Sequence, residues 1–540
     1  MIGTSALTRL TGSRPADANA LPAAAGDPRA WSLEEKVGQL FLVYFEGAEF
    51  SPALEEMIRN YHVGGLIFYS IAGNIQTLPQ VAQLIVAAQA QARVPLWIAI
   101  DQEGGPVVRL TEGVTVFPSA MAVAAAGSLT KAEAMARAVG TELKSLGFNL
   151  NFAPVVDVNS NPHNPIIGIR AFGSDPKQVA DYGLALWRGY RQAGILCTPK
   201  HFPGHGDTDI DSHLGLPRVD RPLEALQTTE LRPFQALIQA GAEAIMTAHV
   251  VMPALGSVRP ATLAPEVVSG WLRQRLGFQG LVLTDSLTMG AIARTYGIPE
   301  AAELAFRAGA DVLLFGADPG FTPAIQKEAY AHLLREFRAG RLSVEQLDRS
   351  VERILTLKRR YRLGFPCPPL PPSTLESHQV LARQIAQDSI TLVRGSLPPL
   401  APDLLLITPV PLLGDLFQNA WPGAQILKIS PEPTPEDLQT TLQGASRADQ
   451  VLVGSLDLFR YPLQKELLAD LLGSLPPEKV VGLALGSPYD AFALPQIPVY
   501  LSCYGTTPVS LQALLQVLLG QIPARGRLPV GSHPEGSRSR

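Results

Sequence analysis

The sequence predicts a two-domain α/β protein, an eight-stranded (β/α)8 TIM-type barrel followed by an α/β sandwich domain with a doubly wound sheet. Three observations carry this. Eight short apolar runs alternate with amphipathic stretches between about Trp31 and Arg362, a proline-rich connector follows, and the alternation resumes beyond it. At 540 residues the chain is longer than one ordinary domain, and 46% hydrophobic against 17% charged residues leaves ample material for buried cores.

The apolar runs are Phe41–Phe45, Leu66–Tyr69, Leu96–Asp101, Leu150–Val158, Ile195–Lys200, Ala244–His249, Leu281–Asp285 and Val312–Phe315. They are nearly continuous in hydrophobicity, as parallel strands covered on both faces are. Between them Leu78–Gln91, Lys131–Leu146, Gln178–Ala193, Pro222–Ala240 and Glu300–Ala308 read as helices, several closing on a glycine (Gly194, Gly241, Gly309) suited to a left-handed C-cap. Eight strand–helix units over this length fit a barrel, with an open doubly wound sheet as the alternative. The polar residues favour the barrel. Asp101, Asp157, Lys200, His201, His249 and Asp285 each stand where an apolar run ends, the face on which barrel enzymes build their sites.

Gly364-Phe-Pro-Cys-Pro-Pro-Leu-Pro-Pro372 is an extended connector, because proline cannot donate to a helix or sheet ladder. Beyond it, Ser377–Val393 reads as a helix running into a strand. Further runs follow at Leu404–Ile407, Ile426–Ile429, Val451–Leu456, Val481–Leu485 and Val499–Tyr504, separated by helical stretches. The expected division is therefore a lead-in over 1–30, a catalytic barrel over 31–363, a linker over 364–376 and the second domain over 377–540.

Composition narrows the function. A net charge of −4 gives no electrostatic reason to expect nucleic acid or an anionic membrane as partner. No apolar stretch is long enough to span a bilayer, and polar residues interrupt every candidate secretory signal between Thr8 and Asn19. Cys197, Cys367 and Cys503 lie far apart, which favours neither a disulfide framework nor a CxxC metal site. A cytoplasmic location is the expectation.

The densest polar constellation is Lys200-His-Phe-Pro-Gly-His-Gly-Asp-Thr-Asp-Ile-Asp-Ser-His213. Its glycines and proline place these groups on a loop after the fifth strand. A calcium loop beginning at Asp207 fails, because its sixth position is Ser212 and its twelfth is Arg218. A zinc site on His201, His205 and His213 would lie beside the Lys200 cation, without a metal-binding helix. An acid/base pair fits better. Asp211 and His213 are two residues apart, so an extended or turning backbone directs both the same way, and the carboxylate favours the protonated ring of a general acid. Asp285, ending the seventh strand, suits attack on an anomeric carbon, although a helix N-cap is an equal reading of that residue alone. In Asp101-Gln-Glu-Gly-Gly-Pro-Val-Val-Arg109 the glycine pair permits a tight turn that returns Arg109 toward Asp101, for sugar hydroxyls or a structural ion pair.

These motifs, with Asn151-Phe-Ala-Pro-Val-Val-Asp157, Arg170-Ala-Phe-Gly173 and Thr284-Asp-Ser-Leu-Thr-Met289, closely resemble bacterial β-N-acetylhexosaminidases of glycoside hydrolase family 3. The resemblance runs from about Trp31 to Arg362 and more weakly through the second domain, where Gly526-Arg-Leu-Pro-Val530 resembles that domain's end. It implies a retaining, exo-acting hydrolase of terminal β-linked N-acetylglucosamine, requiring no metal or organic cofactor. Asp285 is then the nucleophile and His213, held by Asp211, the acid/base. Asp101, Arg109, Arg170, Lys200 and His201 bind the terminal sugar, and fragments of peptidoglycan are the substrate that the branch implies. One departure stands out: the family continues Asp-Gln-Glu-Gly-Gly with arginine, and this chain has Pro106. The rival readings are an N-acetyl-β-glucosaminide phosphorylase, whose acid/base histidine would not repel phosphate, and a non-catalytic sugar-binding protein.

Overall fold

The computed structural model describes residues 27–363 and 369–531. The first of the expected boundaries therefore falls on described chain only at 27–30, where Asp27 caps a short 3-10 turn over Pro28–Ala30. Cys367 and most of the connector lie outside the described residues.

The first eight strands are β1 (Phe41–Tyr44), β2 (Gly65–Ile67), β3 (Trp97–Ile100), β4 (Leu150–Asn151), β5 (Leu196–Cys197), β6 (Ala244–Met246), β7 (Leu281–Leu283) and β8 (Leu313–Leu314). They form a curled parallel sheet. Six run in the order β5-β4-β3-β2-β1-β8, and β6 pairs with β7. Single parallel bridges, Phe202 to Thr247 and Leu283 to Val312, join the two sets. Every strand residue is buried, because helices cover the outside and side chains fill the inside. Gly194, Gly241 and Gly309 cap their helices with φ of 73°, 93° and 114°.

Two expected elements change. The fourth run was expected to stay in the sheet to Val158, but regular β4 ends at Asn151 and pairing resumes past Pro154, which cannot donate, only as a single bridge from Val155 to Lys200. The stretch Pro222–Ala240 is two helices, Leu223–Thr228 and Leu231–Ala240. Pro233 removes the donor that the Thr229 carbonyl would need, and its ring would clash there.

The helix after the connector begins at Pro372, ahead of the expected Ser377. It spans Pro372–Ser389 and takes in the last residues of the presumed linker, because proline is well tolerated in a first helical turn. This helix joins the two domains. Its Ala382 and Ile385 enter the core of the first domain and its Ala386 a core of the second. It is also tied to the first-domain helix Leu129–Ser145 by Lys131–Asp388 and by His378 Nδ1–Glu142 Oε1 at 2.7 Å.

The second sheet comprises β9 (Thr391–Arg394), β10 (Leu404–Thr408), β11 (Gln425–Lys428), β12 (Gln450–Ser455), β13 (Val480–Ala484) and β14 (Val499–Ser502). Its order is β11-β10-β12-β13-β14-β9, parallel except for β9 at one edge. Alternate residues enter separate cores: Leu404 and Leu406 one, Leu405 and Ile407 the other. Among the described residues, no helix is long and apolar enough to cross a membrane.

Candidate functional site

Segments that follow β2, β3, β4, β5, β7 and β8 surround a cleft of about 1270 Å³ that opens to solvent. Asp101, Arg109, Arg170, Lys200, His201, His213 and Asp285 all line it. Asp211 is not among its lining residues and reaches the cleft through His213, and Asp157 and His249, also read at strand ends, are buried and do not line it.

One side is a chain of charges. Lys200 Nζ lies 2.9 Å from Asp101 Oδ1 and 2.6 Å from Glu103 Oε1, and Arg170 donates twice to Glu103, at 2.9 Å each. Arg109 approaches Asp101 at 3.5 Å and lies over the Tyr69 ring at 5.4 Å. Gly104 and Gly105, with φ of 98° and 59°, make the turn that returns Arg109 beside Asp101. Burial disfavours the Glu103 charge, but Arg170 and Lys200 outweigh it and hold the carboxyl far below the usual range. Burial likewise opposes the Lys200 charge, and Asp101 and Glu103 overcome it, raising its pKa.

Buried groups behind the cleft fix the orientation of those that face it. The buried Asp157 accepts the His201 and His205 amides at 3.2 and 2.7 Å and the His201 Nδ1 at 2.7 Å, leaving His201 Nε2 for a ligand. His205 engages Thr208 through Nδ1 (2.8 Å) and Ser212 through Nε2 (3.0 Å), and burial lowers its pKa to about 4. With both ring nitrogens occupied it cannot ligate a zinc ion. Among the described residues, Glu303, His332 and Glu336 are close enough together to hold a metal, but Arg307 and Arg341 already pair with the two carboxylates.

Asp285 stands just past β7. Burial works against its charge, yet His201, His249, Lys200 and the Ser286 amide (2.8 Å from Oδ1) prevail and hold its pKa below the usual value. It is an anion at neutral pH. Its neighbour Ser286 is held on three sides. His249 Nε2 donates to its carbonyl at 2.8 Å, its hydroxyl donates to Asp318 at 2.6 Å, and the Gly316 amide donates to that hydroxyl at 2.9 Å.

His213 carries the opposite tendency. The Asp211 carboxylate accepts its amide and its Nδ1, both at 2.8 Å. That hydrogen bond raises the imidazole pKa above its ordinary value, while partial burial opposes the rise. The loop bearing His213 rests on the helix Gly290–Tyr296, which begins five residues after Asp285. The Ala291 amide donates to the Ser212 carbonyl at 3.1 Å. A Cβ on Gly290 would stand 2.4 Å from the His213 carbonyl oxygen. The cleft thus brings together a carboxyl whose charged form is favoured and an imidazole whose protonated form is favoured.

Glu103, Asp318 and Gly290 were not singled out from the sequence, and His205 was weighed there only as a zinc ligand. Glu103 had a usable signal, because it is a second acidic residue two positions after Asp101 in the same motif. Gly290 had none.

The profile of the glycosyl hydrolase family 3 N-terminal domain matches residues 32–357. Beta-hexosaminidase A of Pseudoalteromonas piscicida is 39% identical over 375 residues, 64% of this chain and 62% of that protein. The chain therefore spans less than two thirds of that relative. The structure of a family 3 beta-N-acetylglucosaminidase from Paenibacillus sp. FPU-7 superposes with a TM-score of 0.86 at 37% identity, over 93% of this chain and 99% of that one. A beta-glucoside phosphorylase, BglX, superposes with a TM-score of 0.80 at 25% identity, over 94% and 95%.

Proposed function

From the premise that this chain belongs to glycosyl hydrolase family 3, among its bacterial β-N-acetylhexosaminidases, we propose that it removes terminal β-linked N-acetylglucosamine with retention of configuration. The observation that carries this reading is that Asp285 and His213 line one cleft, with neighbours that lower the pKa of the first and an Asp211 carboxylate that raises that of the second. An Asp285 oxygen attacks the anomeric carbon as the glycosidic C–O bond breaks, and His213 gives its proton to the departing oxygen. The neutral His213 then takes a proton from water, whose oxygen displaces Asp285 and releases the sugar. Asp101, Lys200, Arg109, Arg170 and His201 hold the hydroxyls of the terminal sugar, and Asp211 keeps the imidazole oriented.

In the same reading the eight parallel strands act as a closed barrel, with the Phe202–Thr247 and Leu283–Val312 bridges as its seams. The natural substrates are peptidoglycan-derived fragments met in the cytoplasm. Turnover of a panel of aryl β-glycosides (N-acetylglucosaminide, N-acetylgalactosaminide, glucoside, xyloside), with and without phosphate, tests the activity. Hydrolysis of the first with free sugar as product is expected. Sugar 1-phosphate as the main product would replace hydrolysis by phosphorolysis, the activity named for the BglX neighbour. Replacing Asp285 by alanine removes the nucleophile, with a loss of at least about 10³-fold. Near-normal turnover in that variant would remove Asp285 as the nucleophile, and no turnover of any glycoside by the wild type would leave a sugar-binding protein.

A further inference from the structure

A second cleft, of about 1010 Å³, lies between the two domains. It shares Val107, Ile166, Ile167 and Arg170 with the first, so the two are continuous. Its far wall is built from the carboxyl ends of the second sheet. Leu456 and Asp457 follow β12, Gly486 and Ser487 follow β13, and Gly505 and Thr506 follow β14. Ligands of barrels and of doubly wound sheets alike bind where strands end at their carboxyl side. Here those two faces meet.

The wall is held firmly. The buried Asp490 carboxylate accepts the amides of Asp457 and Leu458 at 3.0 and 2.9 Å, and Asp457 adopts a left-handed φ of 54°. The Asp457 carbonyl then accepts the amides of Arg460 and Tyr461, both at 3.0 Å. Across the domain boundary, the rings of His163 and Phe459 lie 4.1 Å apart, and Ser119 donates to the Tyr504 carbonyl at 2.6 Å. This turn presents Arg460, exposed and lying 5.6 Å over the Tyr461 ring, to the cleft. The other guanidinium of the cleft, Arg170, is committed to Glu103, whereas among the described residues no carboxylate forms an ion pair with Arg460. The nearby Asp457 carboxyl has its pKa pushed up by burial, against the Arg460 amide and charge, which favour its ionised form.

We propose that this interdomain cleft receives the leaving-group side of the substrate, and that Arg460 selects leaving groups bearing a carboxylate. The apolar Val107, Ile166 and Ile167 would lie against the second sugar, and the guanidinium would take the carboxylate by paired hydrogen bonds. This rests on the function proposed above and assigns the second domain a part in specificity.

The test uses the full chain and two matched disaccharides, N-acetylglucosamine β-linked to a sugar carrying either a carboxylic acid ether or the corresponding carboxamide. The ratio of kcat/KM for acid over amide is read in the wild type, Arg460→Ala and Arg460→Lys. The wild type should favour the acid, alanine should reduce the ratio roughly 10- to 100-fold, and lysine should keep part of it. A wild type indifferent to the carboxylate, or a ratio unchanged in Arg460→Ala, overturns the proposal. So does an unchanged ratio with loss of phosphate-dependent product, which would make the anion an acceptor phosphate. Failure of the aryl N-acetylglucosaminide assay would sink the enzymatic reading instead. Calorimetric binding of the two disaccharides to Asp285→Ala then still reports on Arg460 without turnover.

Discussion

Gly290 abuts the backbone of His213, the proposed acid/base, and its replacement by alanine tests that role. A Cβ there would meet the His213 carbonyl oxygen at 2.4 Å, where ordinary contact begins at 3.4 Å. The His213 backbone must therefore retreat by about 1 Å, and a misplacement of that size costs on the order of 100-fold in rate. The helix itself does not object, because alanine is the better helix former and no positive φ is required at this position. The loss should concentrate on proton donation. With phenyl N-acetyl-β-glucosaminide, a poor leaving group, kcat/KM should fall about 100-fold. With the 2,4-dinitrophenyl substrate, which leaves unaided, it should fall by less than about tenfold. Equal losses on both substrates, or none on either, would refute the reasoning.

Two other perturbations follow from the same geometry. A general acid works only while protonated, and Asp211 extends the protonated range of His213 upward in pH. Asp211→Asn should shift the alkaline limb of kcat/KM for the phenyl substrate toward the ordinary imidazole pKa of about 6.5, with a loss of roughly tenfold or more above neutrality, read from pH–rate profiles. Lys358 is fully buried, hydrogen-bonded to Gln39 and Gly64 oxygens, and burial lowers its pKa to about 7. The unfolded lysine holds its proton to higher pH, so this residue's contribution to stability rises from about pH 7 to 10.5 and is at its worst below 7. Lys358→Met should raise the melting temperature at pH 6.5 by several degrees and by less at pH 9.5. A gain that is larger at the higher pH would contradict the assignment.

Much of this was legible in the residues because the physics is local. Glycines after helical stretches took left-handed caps, and apolar runs that ended in charge delivered Asp101, Lys200 and Asp285 to one mouth. Asp211 and His213 met because a two-residue spacing in a turning loop forces them to. What stayed hidden depends on distant chain. Asp157 and His249 were visible at strand ends, but their work, orienting His201 and holding the Ser286 carbonyl, appears only when neighbouring strands are in place. Asp318 follows β8 without any motif, and its two short hydrogen bonds to Ser286 and Thr288 span some thirty residues of sequence. Pro154 and Pro233 did carry the signal that shortened β4 and split a helix, but apolar continuity outweighed it in the reading.

The central claim is that the Asp285 carboxylate and the His213 imidazole act on one anomeric carbon from opposite sides. Rapid quenching with an activated 5-fluoro N-acetylglucosaminide, followed by peptide mass spectrometry, addresses this most directly. A glycosyl adduct on the Asp285 side chain, accumulating further in His213→Ala as deglycosylation slows, is the expected result. An adduct on another residue, or release of an oxazoline from the sugar with no protein adduct at all, would contradict it.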